Sequence, residues 1–239
     1  MKFATLMYHQ ITNASLEGKY WVSLDSFKRQ VDYLVGNRFK TIDFNEDDYE
    51  SNARYVLITF DDGHASNFEA AEELYKRGLK GVFYILKDKS LNDPAYLTED
   101  QLRQMAKMGH VLGVHGKDHR WWTKKDDAQL VAEFSEVINW LEYLCEKKVI
   151  TCSAPGGILN SRIEGLIREK FIDLKYIRNS VPFFNDELAI ERTINSVGMM
   201  GKMSMAEFKK IVNIDHFYYS RMMACYHAKN IIKKILGRV

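Results

Sequence analysis

Two adjacent carboxylates, Asp61 and Asp62, are the residues whose types and spacing point most directly to chemistry. They follow the apolar run 55–60, YVLITF, and precede Gly63 and His64. The β-branched and aromatic run predicts a buried strand, so both carboxylates stand at its polar tip. Adjacent carboxylates repel each other unless a metal ion or a shared proton neutralises them. The same residues also suit a plain Asp-Asp-Gly turn, and this stretch alone does not decide between a turn and a site.

A second candidate is the pair His115 and His119, four residues apart in the segment HGKDH. Gly116 disfavours a helix here, but a tight loop can turn both imidazoles toward one ion. One carboxylate and two histidines hold a divalent metal and leave positions open for water and substrate, as a catalytic site requires. Each histidine alone is more often structural. Their place after a predicted strand favours a ligand role.

The elements that must position these residues alternate along the chain. Strand-like runs end at the carboxylates, at His115 and at the Pro155-Gly156 turn, and amphipathic helix-length segments separate them. This alternation predicts a distorted (β/α) barrel of about seven parallel strands. Because the carboxyl ends of the strands form one mouth in such barrels, the three groups of residues should converge there.

Composition limits the possible classes of protein. At 239 residues and 46% hydrophobic, the chain suits one domain over residues 1–239, with a helical extension over 213–239. A net charge of +2 argues against nucleic acid as a partner. Three cysteines without CxxC spacing favour a reducing compartment, and no apolar run is long enough to be a transmembrane segment, which together predict a cytoplasmic location. The basic amphipathic segment 228–238 suits either packing on the barrel or peripheral contact with a membrane surface.

Taken in order, TFDDG at 59–63, the two histidines and the Pro-Gly turn resemble the polysaccharide deacetylases with a NodB-homology domain, carbohydrate esterase family 4. The resemblance spans about residues 6–192. It implies a hydrolase that removes the N-acetyl group from a sugar of a glycan, a lipid-linked glycan precursor or a related conjugate. It further implies Asp61 as general base, one divalent metal, usually zinc, held by Asp62, His115 and His119, and a metal-bound water as nucleophile. Tyr8-His9 and His64 also resemble members from glycan biosynthesis.

The resemblance extends to the substrate cleft. It implies that the Gly156 N–H holds the oxyanion beside Pro155. Trp121, just beyond the second histidine, is a candidate to stack on a sugar ring, although large aromatic residues are as often part of a core.

The sequence also departs from the family pattern at three places. Gly116 stands where the family usually has Ser or Thr, which removes a hydrogen bond that would brace the histidine loop. Ser153 stands where the family has an arginine that contacts the catalytic aspartate, and Arg192 is a candidate to supply that charge or to form a plain surface ion pair. The acid that protonates the leaving amine has no clean match. His216 is the nearer candidate and His227 the weaker.

These departures keep three alternatives open. A glycan-binding or regulatory protein on the same fold would have lost turnover. A different hydrolase would cleave a non-sugar C–N bond, such as that of a cyclic imide or ureide. A non-haem iron oxygenase would use the same two histidines and carboxylate, but it leaves Asp61 without a role.

Overall fold

A computed structural model describes residues 1–13, 18–44, 49–50, 52–186 and 193–235. Its strands are β1 (Phe3–Tyr8), β2 (Gln10–Thr12), β3 (Trp21–Ser23), β4 (Phe39–Thr41), β5 (Arg54–Phe60), β6 (Val82–Ile85), β7 (Val111–Val114), β8 (Thr151–Ser153), β9 (Tyr176–Arg178) and β10 (Val197–Gly198). Its helices are α1 (Leu24–Gly36), α2 (Asn67–Lys76), α3 (Lys87–Asn92), α4 (Glu99–Lys107), α5 (Asp127–Cys145), α6 (Ser161–Lys170), α7 (Met205–Val212) and α8 (His216–Ile235).

The paired strands of the main sheet run parallel in the order β10, β1, β5, β6, β7, β8, β9, and β4 pairs with the first residues of β5. Ile194 bridges to Arg178 of β9, whereas Val197 of β10 pairs with Leu6 of β1. Residues 194–198 therefore join the two edges of the sheet. This topology confirms the predicted distorted (β/α) barrel of about seven parallel strands.

Local sequence explains most element boundaries. Every residue of β5 after Arg54 is buried, as the apolar run predicts. Helix α1 begins after Ser23, whose side chain accepts the Ser26 N–H, and it buries Phe27, Val31 and Leu34 on one face. Helices α4 and α5 begin at full capping boxes. These signals are local, so the sequence predicts them well.

The C-terminal third differs from the prediction. The predicted helix over 228–238 begins earlier, because α8 starts at His216. Ile194, which follows the segment outside the described residues, forms an isolated bridge to Arg178 rather than part of a longer strand. No helix in the described ranges combines the length and apolarity needed to cross a bilayer. The division into one domain and a helical extension stays a prediction.

Candidate active site

Asp62, His115 and His119 come together at the carboxyl ends of β5 and β7. Asp62 Oδ1 lies 3.3 Å from His115 Nε2 and 3.3 Å from His119 Nε2. One possible ligand atom from each residue lies within 4.8 Å of the other two. Asp62 Oδ1 is buried and has no hydrogen-bond partner in the described part of the chain. Two imidazole nitrogens and a carboxylate oxygen facing one point suit a zinc ion, so these residues fit the predicted divalent metal.

The backbone around this point is arranged to aim the side chains inward. Asp62 and His119 both have left-handed backbone angles, with φ of 72° and 63°. The His115 N–H donates to Ile85 O of the neighbouring strand (3.1 Å), which fixes the end of β7. His115 Nδ1 lies 2.8 Å from Ser153 O and must donate its proton to that carbonyl. The other ring nitrogen, Nε2, faces Asp62 and is the atom that could ligate a metal, as in histidines whose Nδ1 is held by a carbonyl.

Electrostatics at this point favour a cation. Burial raises the pKa of Asp62, but its contacts with His115 and His119 lower that pKa more, so it lies below its ordinary value. The contact with Asp62 raises the pKa of His119 against the opposing effect of burial. The carboxylate is thus ionised at neutral pH and draws positive charge, which a bound divalent cation would supply.

Asp61, next to the candidate ligand Asp62, forms a buried ion pair with Arg178 that sequence analysis missed. Arg178, at the end of β9, is fully buried, and its Nη2 donates to Asp61 Oδ1 (2.6 Å), to Oδ2 and to Ser153 Oγ. Its Nη1 donates to Ser196 Oγ (2.8 Å). The guanidinium expected at position 153 therefore comes from the next strand, and the small Ser153 leaves room for it.

Arg192 and His216 have different outcomes. Arg192 lies outside the described residues, so its role stays a prediction, although Arg178 already pairs with Asp61. His216 begins α8 with its ring 5.1 Å from that of Phe184, which also lies under Lys2 before the start of β1. Asp61 lies at the other end of β1, where its N–H donates to Tyr8 O (2.9 Å). His216 is therefore at the wrong end of the barrel to be the general acid.

The predicted cleft residues do lie together. Gly156 has φ of 66°, and a side chain there would meet the Trp121 ring, because an added Cβ would lie 3.0 Å from Trp121 Nε1. Trp121 is 43% exposed, whereas Pro155 is buried. The indole therefore covers the Pro-Gly turn and presents a face to solvent. Their roles in substrate binding stay predictions.

His9, which sequence analysis noted as part of the family resemblance without giving it a role, also lies at this mouth. It follows β1, and its ring stacks on Tyr20 at 4.9 Å between centroids. Its Nδ1 is buried without a partner among the described residues. Burial lowers the pKa of His9, and the nearby carboxylates of Asp61 and Asp62 oppose that effect. The position directly after a strand is the sequence signal that could have identified it.

The sequence profile of one family, described as Polysaccharide deacetylase, matches residues 48–172. The chain belongs to this family. The matched region includes β5, β7 and β8, the strands that end at the candidate ligands and at the Pro-Gly turn. Family membership confirms the resemblance that the sequence motifs indicated.

Individual relatives agree with this assignment. The chain is 26% identical to YxkH of Bacillus subtilis (strain 168), whose name also refers to polysaccharide deacetylases, in an alignment 166 residues long that covers 66% of this chain and 58% of YxkH. The chain thus spans 58% of the length of that relative.

Solved structures share the fold. BA0330 of Bacillus anthracis superposes with a TM-score of 0.78 at 20% identity, over 89% of this chain and 69% of that one. The Streptococcus pyogenes deacetylase PplD, solved in complex with acetate, gives a TM-score of 0.78 at 17% identity, over 89% and 98%. At these identities the similarities establish the barrel and its topology.

Proposed function

We propose that the chain is a metal-dependent N-deacetylase that hydrolyses the acetamide of an N-acetylated sugar in a glycan, a lipid-linked glycan precursor or a related conjugate. The observation that carries this proposal is the arrangement of two carboxylates with separate partners. Asp62 faces two histidines, while the adjacent Asp61 is held by Arg178. Membership of the polysaccharide deacetylase family supports the same chemistry.

Each carboxylate has its own task in this reaction. A divalent ion, with zinc as our choice, held by Asp62, His115 and His119 would polarise the acetamide carbonyl and lower the pKa of the attacking water. Asp61 takes the proton from that water. Arg178 holds the Asp61 carboxylate in one orientation and balances its charge in a buried position.

Two further groups complete the chemistry. The Gly156 N–H donates to the oxyanion as the carbonyl carbon becomes tetrahedral, with Trp121 stacking on the sugar ring beside it. The leaving nitrogen needs a proton, and His9 is the buried imidazole at this mouth with an unpartnered nitrogen, so we assign it this transfer. One amide and one water thus give a free amine and acetate.

The position of Arg178 bears on the binding-only alternative. That alternative depended on a missing arginine and an uncertain acid. Arg178 supplies the guanidinium and His9 offers an imidazole, which removes both reasons to expect lost turnover. A non-sugar substrate remains as an outcome of the test.

The test is acetate release from fully N-acetylated glucosamine and galactosamine oligosaccharides by the zinc-loaded protein. We expect turnover by the wild type and a loss of about a thousandfold in Asp61→Asn, with one zinc ion still bound in both. Hydrolysis of cyclic imides or ureides without release of acetate would favour the non-sugar hydrolase. Sugar binding without any hydrolysis would favour the binding protein.

We also propose peripheral membrane contact through α8. The N-terminal part of α8 packs on the core through the buried Tyr219, whereas Phe217, Ile231 and Ile232 are 83%, 59% and 55% exposed. The sequence from 216 to 239 contains no Asp or Glu, and its cations are Arg221, Lys229, Lys233, Lys234 and Arg238. An exposed apolar and basic helix suits an anionic bilayer surface.

Co-sedimentation with vesicles tests this contact. We expect binding to phosphatidylglycerol-containing vesicles, weaker binding to pure phosphatidylcholine, and loss of binding in Ile231→Ser/Ile232→Ser. Ile172→Ser is the matched control, because Ile172 is 80% exposed outside α8. Equal sedimentation of the double variant would contradict the contact. The cytoplasmic location stays a proposal, to be checked by cell fractionation.

A further inference from the structure

Glu133 of α5 forms a hydrogen bond with the loop that carries both candidate ligand histidines. Glu133 is 7% exposed, and its Oε1 accepts the Lys117 backbone N–H at 3.2 Å. Its Oε2 pairs with Lys125 Nζ, and the same ammonium reaches Asp118 Oδ1 at 3.3 Å. One buried carboxylate and one lysine therefore contact both residues that separate Gly116 from His119.

Gly116 makes this approach possible. Its φ is 99°, and an added Cβ would lie 2.9 Å from Glu133 Oε1 and 3.1 Å from Trp122 Nε1. A larger residue at 116 would strain the backbone and push the carboxylate away from the Lys117 N–H. The absence of a side chain at Gly116 thus allows Glu133 of α5 to accept a hydrogen bond from the loop that carries both histidines, and this bond braces the loop.

The two histidines differ in how much they depend on that brace. His115 is fixed by β7 and by its bond to Ser153 O. The described contacts of the His119 ring are with Asp62 and with the His115 ring, 5.4 Å away between centroids. Among the described residues its ring has no partner of the kind that orients His115, so its position follows from the backbone of residues 116–119.

We propose that Glu133 is a positioning residue that sets the place of His119 relative to Asp62 and His115, and so determines the metal affinity. The inference depends on the proposed metal site. Ligands held in place by outer contacts bind metals more tightly, typically by tenfold or more.

Glu136 provides a matched control on the same helix. It is one turn further along α5, and its carboxylate pairs with Lys117 Nζ (2.9 Å) and Lys87 Nζ (2.5 Å). It therefore has the same charge and contacts the side chain of the same loop residue, but none of its described bonds reaches the loop backbone. A general effect of removing negative charge near the site would appear equally in both variants.

The experiment is a Co²⁺ titration followed by d–d absorption, with competition by Zn²⁺, on the wild type, Glu133→Ala, Glu133→Gln and Glu136→Gln. We expect Co²⁺ to bind about tenfold more weakly in Glu133→Ala with a changed d–d spectrum, about threefold more weakly in Glu133→Gln, and within twofold of wild type in Glu136→Gln. Wild-type affinity and spectrum in Glu133→Ala overturn the inference.

Three further results are also decisive. If circular dichroism shows that Glu133→Ala does not fold, Glu133→Gln decides, and an affinity within 1.5-fold of wild type overturns the inference. Equal weakening in Glu136→Gln overturns it as well, because the effect is then one of charge. A wild type that binds neither metal overturns the proposed metal site and this inference together, which distinguishes that failure from a failure of Glu133 alone.

Discussion

Strand β7 has a buried histidine at each end, and the two differ in how their ring nitrogens are used. His110, just before the strand, is 5% exposed, and His115, just after it, is 1% exposed. His110 Nδ1 accepts the Gly81 N–H at 3.0 Å, and its Nε2 donates to Ala71 O at 3.0 Å. His115 uses only Nδ1 within the fold and turns Nε2 toward Asp62.

Burial therefore does not separate a structural histidine from a candidate ligand, whereas the use of the second nitrogen does. At the amino end of the strand both nitrogens are satisfied by the backbone, so substitutions there should reduce stability and leave the metal in place. At the carboxyl end, His115 Nε2 faces the Asp62 carboxylate and has no other partner among the described residues. Substitutions at this end should therefore remove metal and activity.

Arg178 is the strongest test of this comparison, because it lies at the carboxyl end of β9, beside the candidate site, and is also fully buried. We expect Arg178→Gln to lower kcat/KM by a hundredfold or more, because Asp61 loses its partner, and to lower the free energy of unfolding by about 3 kcal/mol. Zinc content should not change. Steady-state kinetics of acetate release and urea unfolding measure both effects. A kcat/KM within twofold of wild type would contradict the assigned role.

The pH dependence of stability sharpens the comparison at the amino end. Burial lowers the pKa of His110 to about 4 from 6.5. Between those values the unfolded chain binds the proton and the folded chain does not, so acid favours unfolding. We expect this histidine to reduce the free energy of unfolding by about 3 kcal/mol as the pH falls from 6.5 to 4.

Urea unfolding at several pH values checks this expectation, with His110→Gln as the comparison. Between pH 4 and 6.5, the number of protons taken up on unfolding should be lower by close to one in the variant than in the wild type. The pKa values of His9 and His64 are also lowered by burial. Both residues remain in the variant, so they contribute equally to the two curves. Identical slopes in wild type and variant would show that His110 does not titrate in this way.

The smallest expected effect concerns the neighbouring tryptophans. Trp121 is 43% exposed over the Pro-Gly turn, whereas Trp122 is fully buried with its ring 4.7 Å from that of Phe134. Trp121→Ala should raise KM about fivefold with little change in kcat, as the loss of one stacking contact predicts. Trp122→Ala should instead lower the melting temperature. A KM unchanged by Trp121→Ala would place its ring outside the substrate cleft.

The sequence predicts the barrel and the candidate metal ligands because both depend on local signals. The strand ends of β5 and β7 can be located from apolar runs, and parallel strands bring such ends to one mouth. Asp61, Asp62, His115 and His119 are all positioned by this rule.

The positions of Arg178 and His216 could not be predicted from local sequence signals. Arg178 contacts Asp61 across 117 residues of sequence, which requires knowing the neighbours of β9. A lone arginine at the end of a short buried strand was the only sequence signal. His216 was selected from its adjoining residues, which do not reveal at which end of the barrel α8 begins. The brace at Gly116 was equally hidden, since its acceptor, Glu133, lies on another element.

Metal content by mass spectrometry is the most direct test of the claim that His115, and not His110, ligates a metal. The measurement compares purified wild type, His115→Ala and His110→Gln after each has been offered zinc and dialysed. We predict about one zinc ion per chain in the wild type and in His110→Gln, and none in His115→Ala. Equal zinc in the wild type and His115→Ala, or none in the wild type, would contradict a metal centre at the carboxyl end of the strand.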